Sequence, residues 1–205
     1  FGTEARNRTS NRPERNTYTY NAFNYNKFIP LAYFGYNADE ALVLGAGFFY
    51  TTHGFQKSPY ASHSTFGARY AFATGALEFT YDGIFTSVFG GLDLQLHFIF
   101  RDPRYAENYF GLGNETEKTT DDKNYNRVRI GQLHFNPEIS KTIKNSTLSA
   151  GLFYQAFEVE NTEDRFISDI PNNGLSPDVF EDHRFAGINL RYVLDSRNDK
   201  VLPTR

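Results

Sequence analysis

The stretch Leu92-Asp93-Leu94-Gln95-Leu96-His97-Phe98-Ile99-Phe100-Arg101 decides the fold class of this chain. Its even-numbered residues are all Leu or Phe, whereas its odd-numbered residues are Asp93, Gln95, His97, Ile99 and Arg101. Side chains of an extended strand point alternately to two faces, so the stretch predicts a β-strand with one apolar face and one polar face.

The same alternation recurs along the chain and predicts an all-β fold of eight antiparallel strands without a helix. The predicted strands are 28–36, 41–53, 64–73, 76–89, 92–101, 125–140, 147–159 and 183–195. Pro59 is expected to interrupt the chain within 56–62, and Gly90-Gly91 is expected to form a tight hairpin turn with positive φ angles. The apolar pattern changes phase between Ile130 and Leu133, which predicts a bulge near Gly131.

Composition excludes several classes of function. The chain has 205 residues, a formal net charge of -3 and no cysteine, so it lacks a basic bias toward nucleic acid, a disulfide framework and thiolate metal ligands. No apolar run approaches the ~20 residues of a membrane-spanning helix, so strands would have to cross a membrane. The chain opens on Phe1 without a signal peptide, and we expect a piece of a longer protein. Residues 1–27 are predicted to be a polar linker or loop, and 28–205 a partial outer-membrane β-barrel domain.

Strand length and loop length favour a transmembrane barrel over a soluble sheet. Ten residues at ~3.3 Å each, tilted by ~40°, rise roughly 25 Å, which matches the apolar band of outer-membrane barrels. Both long predicted loops, 102–124 and 160–181, fall at one end of the strands, and the short turns fall at the other. The predicted lipid-facing residues are Leu77, Phe79, Leu92, Leu94, Leu96, Phe98, Leu190 and Tyr192. The predicted lumen-facing residues are Arg69, Glu78, Asp82, Asp93, Gln95, His97 and Arg191. A soluble sandwich or lipocalin-like barrel, with the polar residues in bulk water, is the alternative.

Three segments resemble a known family: 53–60 (HGFQKSPY), 108–116 (NYFGLGNET) and 194–198 (LDSRN) continuing to Pro203-Thr204-Arg205. They are similar to the bacterial surface antigen superfamily of BamA-like outer-membrane assembly factors in Gram-negative bacteria, and most to its Bacteroidetes members, some of which carry a metallophosphoesterase domain. The matching residues are Gly54, Phe55, Pro59, Phe110, Gly111, Gly113, Asn114, Asp195, Arg197, Pro203 and Arg205. The resemblance implies a barrel of about sixteen strands, of which this chain would supply half. Asp195 and Arg197 are expected to pair at a strand end.

No catalytic motif is present, and the five histidines are scattered at 53, 63, 97, 134 and 183, so no enzyme activity and no cofactor are expected of this chain. His97 is interpreted as a hydrated lumen residue. The acidic residues Glu158, Glu160, Glu163 and Asp164 either belong to a solvated loop or form a group that binds a divalent cation or bridges lipopolysaccharide.

The expected location is the bacterial outer membrane, and the expected partners are the lipid bilayer and lipopolysaccharide, with client outer-membrane proteins or accessory assembly subunits. Three hypotheses remain: a barrel segment of an assembly and translocation factor, a barrel that anchors or secretes an attached enzyme domain, and a soluble all-β binding module. The sequence upstream of Phe1 would separate the first two, because assembly factors carry substrate-receiving domains.

Overall fold

The computed structural model describes residues 24–37, 40–54, 57–113, 120, 122 and 124–197. These residues form one antiparallel sheet of nine strands with very little helix, which confirms the all-β prediction. The strands are β1 (Lys27–Asn37), β2 (Ala41–Gly54), β3 (Lys57–Ala71), β4 (Leu77–Phe89), β5 (Leu92–Arg101), β6 (Ala106–Asn108), β7 (Arg127–Ile143), β8 (Ser146–Val159) and β9 (His183–Leu194). Each predicted strand has an observed counterpart, and the short β6 lies inside the predicted loop 102–124.

The sheet is an open meander. Its strand order is β1-β2-β3-β4-β5-β7-β8-β9, and β6 pairs with β7 at the point where β5 has ended. Every neighbouring pair is antiparallel. Strands β1 and β9 are the two edges, and in the described part of the chain they do not pair with each other. The predicted barrel is therefore not closed within this structure.

Pro59 does not interrupt the chain as predicted, because β3 begins at Lys57 and runs through it. The ladder between β2 and β3 is irregular here, with Thr52 paired to Ser62 and Gly54 paired to Lys57. The ladder between β3 and β4 starts only at Ser62. Neither ladder requires an amide from Pro59, so the strand tolerates a residue without an N–H group.

The predicted bulge near Gly131 is wrong. The register between β7 and β8 is unbroken from Ile130 to Phe135, with Gly131 opposite Glu158. The change of apolar phase has another cause: Val128 stays on the polar side of the strand, where it is buried at the loop-covered end of the sheet. An apolar side chain is suited to this position because loops cover it, and the side chains of β7 still alternate normally between the two faces of the sheet.

Cross-strand pairing divides the side chains of the sheet into two faces, since residues directly opposite each other point the same way. Arg69 is opposite Glu78, Glu78 is opposite Arg101, and Asp82 is opposite His97. Ser149 of β8 lies opposite Ser140 of β7 and opposite Arg191 of β9, so Arg191 belongs to the same face. We call this side the polar face, and all seven residues predicted to face a lumen lie on it.

The opposite side, the apolar face, holds all eight residues predicted to face lipid. Six of them are half-buried, whereas Leu190 and Tyr192 are exposed. A row of stacked or tilted phenylalanine rings crosses β1 to β5 on this face, with successive centroids 5.4, 5.5, 6.4 and 6.2 Å apart; its members are Phe28, Phe48, Phe66, Phe79 and Phe100. No second sheet packs on the apolar face within the described residues, and Leu190 remains 78% exposed.

The connections divide by length between the two ends of the sheet. The long connections 102–126 and 160–182 lie at one end, here called the loop end, whereas 90–91 and 144–145 lie at the other, the turn end. Gly90 and Gly91 have φ angles of 57° and 88°, so the predicted hairpin glycines and the predicted segregation of loops are both confirmed. The loop after β8 contains a short helix, α1 (Ile170–Asn173). None of the described helices is long and apolar enough to cross a membrane.

Candidate functional site on the polar face

The polar face is concave and holds a cavity of about 530 Å³. Asp82 on β4 and Arg191 on β9 both line this cavity although four steps of the sheet separate their strands. The sheet must therefore curl toward the polar face. The polar-face residues that line the cavity are Asp82, Ile84, Gln95, His97, Asn136, Glu138, Asn189 and Arg191.

Two glycines on the polar face leave room for side chains of the neighbouring strands to lie over them. The Tyr33 ring of β1 lies directly over Gly45, its partner on β2, where any larger residue would collide with the ring. Gly151 of β8 separates Glu138 from Asn189, and the absence of a side chain there lets those two residues meet across the strand. Aromatic rings covering strand glycines stabilise strongly curved sheets.

A chain of ion pairs crosses the polar face near the loop end. The Arg69 guanidinium donates to Glu40 at 3.2 Å and to Glu78 at 3.0 Å, and Arg101 donates to the second oxygen of Glu78 at 2.7 Å. The Tyr105 ring lies 5.0 Å from the Arg69 guanidinium and 4.7 Å from that of Arg101. Cations are attracted to aromatic faces, so these contacts hold Tyr105, and with it the loop after β5, against the two arginines.

Two histidines lie side by side in the middle of the polar face. His97 Nδ1 is 2.6 Å from Asp82 Oδ1, and the His97 and His134 rings meet edge to face with centroids 5.3 Å apart. Gln155 Nε2 lies 2.6 Å from His134 Nδ1. Because an amide nitrogen only donates, His134 Nδ1 accepts this hydrogen bond and carries no proton. The four side chains form a polar row across β4, β5, β7 and β8.

Glu138 holds the far side of the cavity together. Its carboxylate accepts a hydrogen bond from Asn189 Nδ2 at 3.2 Å and pairs with the Arg191 guanidinium. The Glu138 side chain is only 7% exposed, so its charge requires these partners. The carboxylate of β7 thus binds two residues of β9 across the small residues of β8.

The two long loops pack on each other over the loop end. The Tyr109 hydroxyl donates to the Asn173 carbonyl at 3.2 Å, and the Tyr109 ring stacks on Phe166 at 5.8 Å. The Phe166 amide donates to the Tyr125 carbonyl at 2.8 Å. Burial in this contact raises the pKa of Tyr109. These contacts close one end of the polar face, while the cavity lies toward its middle.

The residues that carry the family resemblance are placed at both ends of the sheet. Asp195 and Arg197 follow β9 at the turn end and form the predicted pair, with contacts of 2.7 and 2.8 Å. Gly111 and Gly113 lie in the loop after β6 with φ angles of 110° and 95°, which suit ordinary turn glycines as well as a family motif. Gly54 ends β2, Pro59 lies in β3 and Phe110 in the loop after β6. Phe55, Asn114, Pro203 and Arg205 lie outside the described residues.

The acidic residues at the end of β8 and in the loop that follows it are not grouped as a metal site among the described residues. Among the described residues, no group of three or more His, Asp or Glu side chains is arranged to hold a metal ion. Glu160 instead lies 3.3 Å from the Arg129 guanidinium of β7 and accepts a hydrogen bond from Thr162. The alternative of a solvated loop with local ion pairs fits this geometry.

The sequence reading missed the part of the site that β7 supplies. Gln132, His134, Asn136, Glu138 and Ser140 all lie on the polar face, and their even-numbered spacing was a usable signal. A bulge at Gly131 would have changed the faces only of the residues before it, so this spacing could have been used despite that error. The meeting of His97 with His134 depends on the register between β5 and β7, which alternation alone does not supply.

Comparisons with protein-family models, with curated proteins and with solved structures found no match.

Proposed function

We propose that this chain is a sector of the wall of a transmembrane β-barrel in a bacterial outer membrane. In this proposal the apolar face contacts acyl chains, the polar face borders a water-filled lumen, and the long loops lie on the outer side beside lipopolysaccharide. The observation that carries the proposal is the contrast between the two faces. One face carries apolar side chains along the whole meander, exposed at Phe34, Leu44, Leu152 and Leu190 on β1, β2, β8 and β9. The other face has ion pairs and histidines at mid-strand.

Energetics support lipid as the neighbour of the apolar face. Burying one Leu or Phe side chain contributes about 1.5–3 kcal/mol, so a large apolar surface left in water would favour aggregation. The ion-paired polar face is equally unsuited to a dry interior, because charged groups lose their hydration there. A bilayer on one side and water on the other satisfies both faces.

Strand length also supports the proposal. The eight strands of the meander have 10 to 17 residues. Strands of soluble proteins are usually ~5–6 residues long, whereas a tilted strand needs ~9–11 to cross a bilayer. Even β5, the shortest strand of the meander, meets that requirement.

Single cysteines would test the proposal, because the chain contains no native cysteine. Leu190→Cys places a label on the apolar face, and Asp82→Cys places one on the polar face. After refolding into vesicles, a nitroxide-bearing lipid should quench a fluorophore at position 190, and aqueous iodide should quench one at 82. Heat-modifiable gel mobility checks that both variants are folded. Equal iodide quenching at both positions would support the soluble binding module instead.

Within this class, we propose a role like that of BamA-like assembly factors, on the basis of the three resembling segments. Depletion of the full protein from cells should then lower the amount of heat-modifiable barrel proteins in the outer membrane. Unchanged barrel content would favour a barrel that anchors or secretes an attached enzyme domain.

A further inference from the structure

Charged side chains bracket the apolar face of β7 at its two ends. Lys141 at the turn end lies opposite Leu148, which lies opposite Tyr192 of β9, so Lys141 belongs to the apolar face. Arg129 lies on the same face at the loop end, since an even number of residues separates it from Lys141. Between them this face of β7 is uncharged, and its residues are Gly131, Leu133, Phe135, Pro137 and Ile139.

The distance between the two cations matches the thickness of a bilayer. At ~3.3 Å per residue and a tilt of ~40°, the stretch from Arg129 to Lys141 rises roughly 30 Å, and the hydrocarbon core of a bilayer is ~30 Å thick. A lysine on the lipid face is costly at the bilayer midplane and is tolerated near the interface. If the apolar face contacts lipid, Lys141 therefore marks the level of the headgroups at the turn end.

The two ends differ in how their cations are paired. At the loop end the Arg129 guanidinium lies 3.3 Å from the Glu160 carboxylate. At the turn end the exposed side chains of Lys141 and Lys144 form no ion pair with any residue that the structure describes. The turn end thus presents two positive charges that the described part of the chain does not neutralise.

The acidic groups that could neutralise these lysines lie elsewhere or are already paired. The apolar face of β7, β8 and β9 carries no carboxylate between Glu158 and the turn end. Asp195 lies beside the turn, since its amide donates to the Asn145 carbonyl at 2.8 Å. Its carboxylate, however, accepts hydrogen bonds from the Arg197 guanidinium at 2.7 and 2.8 Å. The charge left exposed here is therefore complementary to an anion.

Apolar and amphipathic side chains surround Lys141. Ile143 and Leu148 are each 62% exposed and offer apolar surface next to the lysine. The Tyr192 hydroxyl lies 3.0 Å from the Ser146 hydroxyl, on the turn side of Leu148. A tyrosine with an apolar ring and a polar tip is typical of a membrane interface, and the aliphatic stem of a lysine can lie along apolar surface while its ammonium reaches the headgroups.

We propose that the turn end of the apolar face binds an anionic phospholipid. Lys141, with Lys144 in the adjoining turn, contacts the phosphate, and the acyl chains lie along Leu148 and the apolar residues beyond it. This inference rests on the proposed barrel wall, which places this end of the sheet at a leaflet boundary. A lysine near a membrane surface favours an anionic over a neutral lipid by about fivefold.

A lipid-selective quenching assay on the full chain, refolded into phosphatidylcholine vesicles, tests the site. Leu194→Cys carries a fluorophore on the apolar face at the turn end. The vesicles contain a small fraction of either phosphatidylglycerol or phosphatidylcholine, each with a nitroxide at the same acyl carbon. The labelled phosphatidylglycerol should be enriched at the fluorophore by at least about fivefold. Lys141→Gln should lower this enrichment about fivefold, and Lys141→Arg should preserve it.

Lys27→Gln is the matched control. Lys27 is exposed at the same end of the sheet but lies on the polar face, opposite Thr51 on β2, so its loss should leave the enrichment unchanged. Equal loss in Lys27→Gln and Lys141→Gln would overturn the inference, because the overall charge of the chain would then set the lipid preference.

Two other results would also overturn it: equal quenching by the two labelled lipids in the chain with native Lys141, or an unchanged preference in Lys141→Gln. In either case the proposed barrel wall would stand, since lipid would still reach the fluorophore. Quenching by neither labelled lipid would overturn both the inference and the barrel wall. Heat-modifiable gel mobility shows that each variant compared has refolded.

Discussion

Replacement of Gly45 by alanine should destabilise the sheet, because the Tyr33 ring occupies the space that a side chain would need. A methyl group at position 45 would lie 2.5 Å from the Tyr33 hydroxyl oxygen and closer still to the ring carbons. Ordinary van der Waals contact begins near 3.4 Å, so the ring would have to move by about 1 Å or more. Tyr33 is 49% exposed and its ring can turn toward water, so Gly45→Ala should cost about 1 kcal/mol of unfolding free energy, the low end of the range for overpacking.

Gly35→Ala is the matched control. Gly35 lies on the same polar face, on the neighbouring strand β1, and no atom lies within 4 Å of the position its methyl group would take. Alanine there should be neutral or should stabilise by about 0.4–1 kcal/mol, because it restricts the unfolded chain.

Denaturant titration of the chain folded in detergent micelles, followed by gel mobility and tyrosine fluorescence, gives both free energies. In a Tyr33→Ala background the cost of Gly45→Ala should largely disappear, since the obstructing ring is gone. Equal stability of the Gly45 and Gly35 variants, or a cost that persists without the ring, would refute the packing argument.

Two further perturbations test the faces and the loops. Leu96→Arg should cost about 2–4 kcal/mol of unfolding free energy in vesicles. His97→Ala, one residue away on the polar face, should cost less than about 1 kcal/mol. Equal costs in denaturant titrations would contradict the assignment of the two faces. Hydrogen bonds from Arg104 hold the pKa of Asp102 below its ordinary value, so their stabilisation is present above about pH 4 and lost as pH falls through the lowered pKa. Unfolding curves at several acidic pH values should show a shallower decline for Asp102→Asn, and identical declines in both proteins would exclude this contribution.

Much of the fold was predictable because period-two alternation is a local property. The β5 stretch, the glycine pair after β4 and the lengths of the loops led to correct strands, faces and ends. The short strand β6 was not predictable, because its three residues, Ala106–Asn108, are too few to show a period. The prediction that Pro59 interrupts the chain was wrong, because a strand tolerates proline where its ladder is irregular. That irregularity is not visible in the sequence.

The site was less predictable than the fold because it depends on contacts between distant segments. Because polar and apolar residues alternate in β4, β5 and β9, the sequence alone placed Asp82, His97 and Arg191 on the polar face, where they line the cavity. The partner of Arg191 was missed, since Glu138 lies 53 positions away and reaches it only across the glycine of β8. Tyr105 was missed for a similar reason: a loop residue joins the charged row through cation–π contacts that no alternation pattern encodes.

The contacts between the long loops have a mechanical consequence. Strands β7, β8 and β9 are joined by their ladders. The loops that precede β7 and β9 are also joined, by the contacts among Tyr109, Phe166 and Asn173, which we call the loop latch. Within the described residues, β1 is held only by its ladder with β2, whereas β9 is held by its ladder with β8 and by the contacts of Asn189 and Arg191 with Glu138 of β7. Under a pulling force applied to both ends of the chain, the sheet should unzip hairpin by hairpin from β1, and the latched end should be the last to yield.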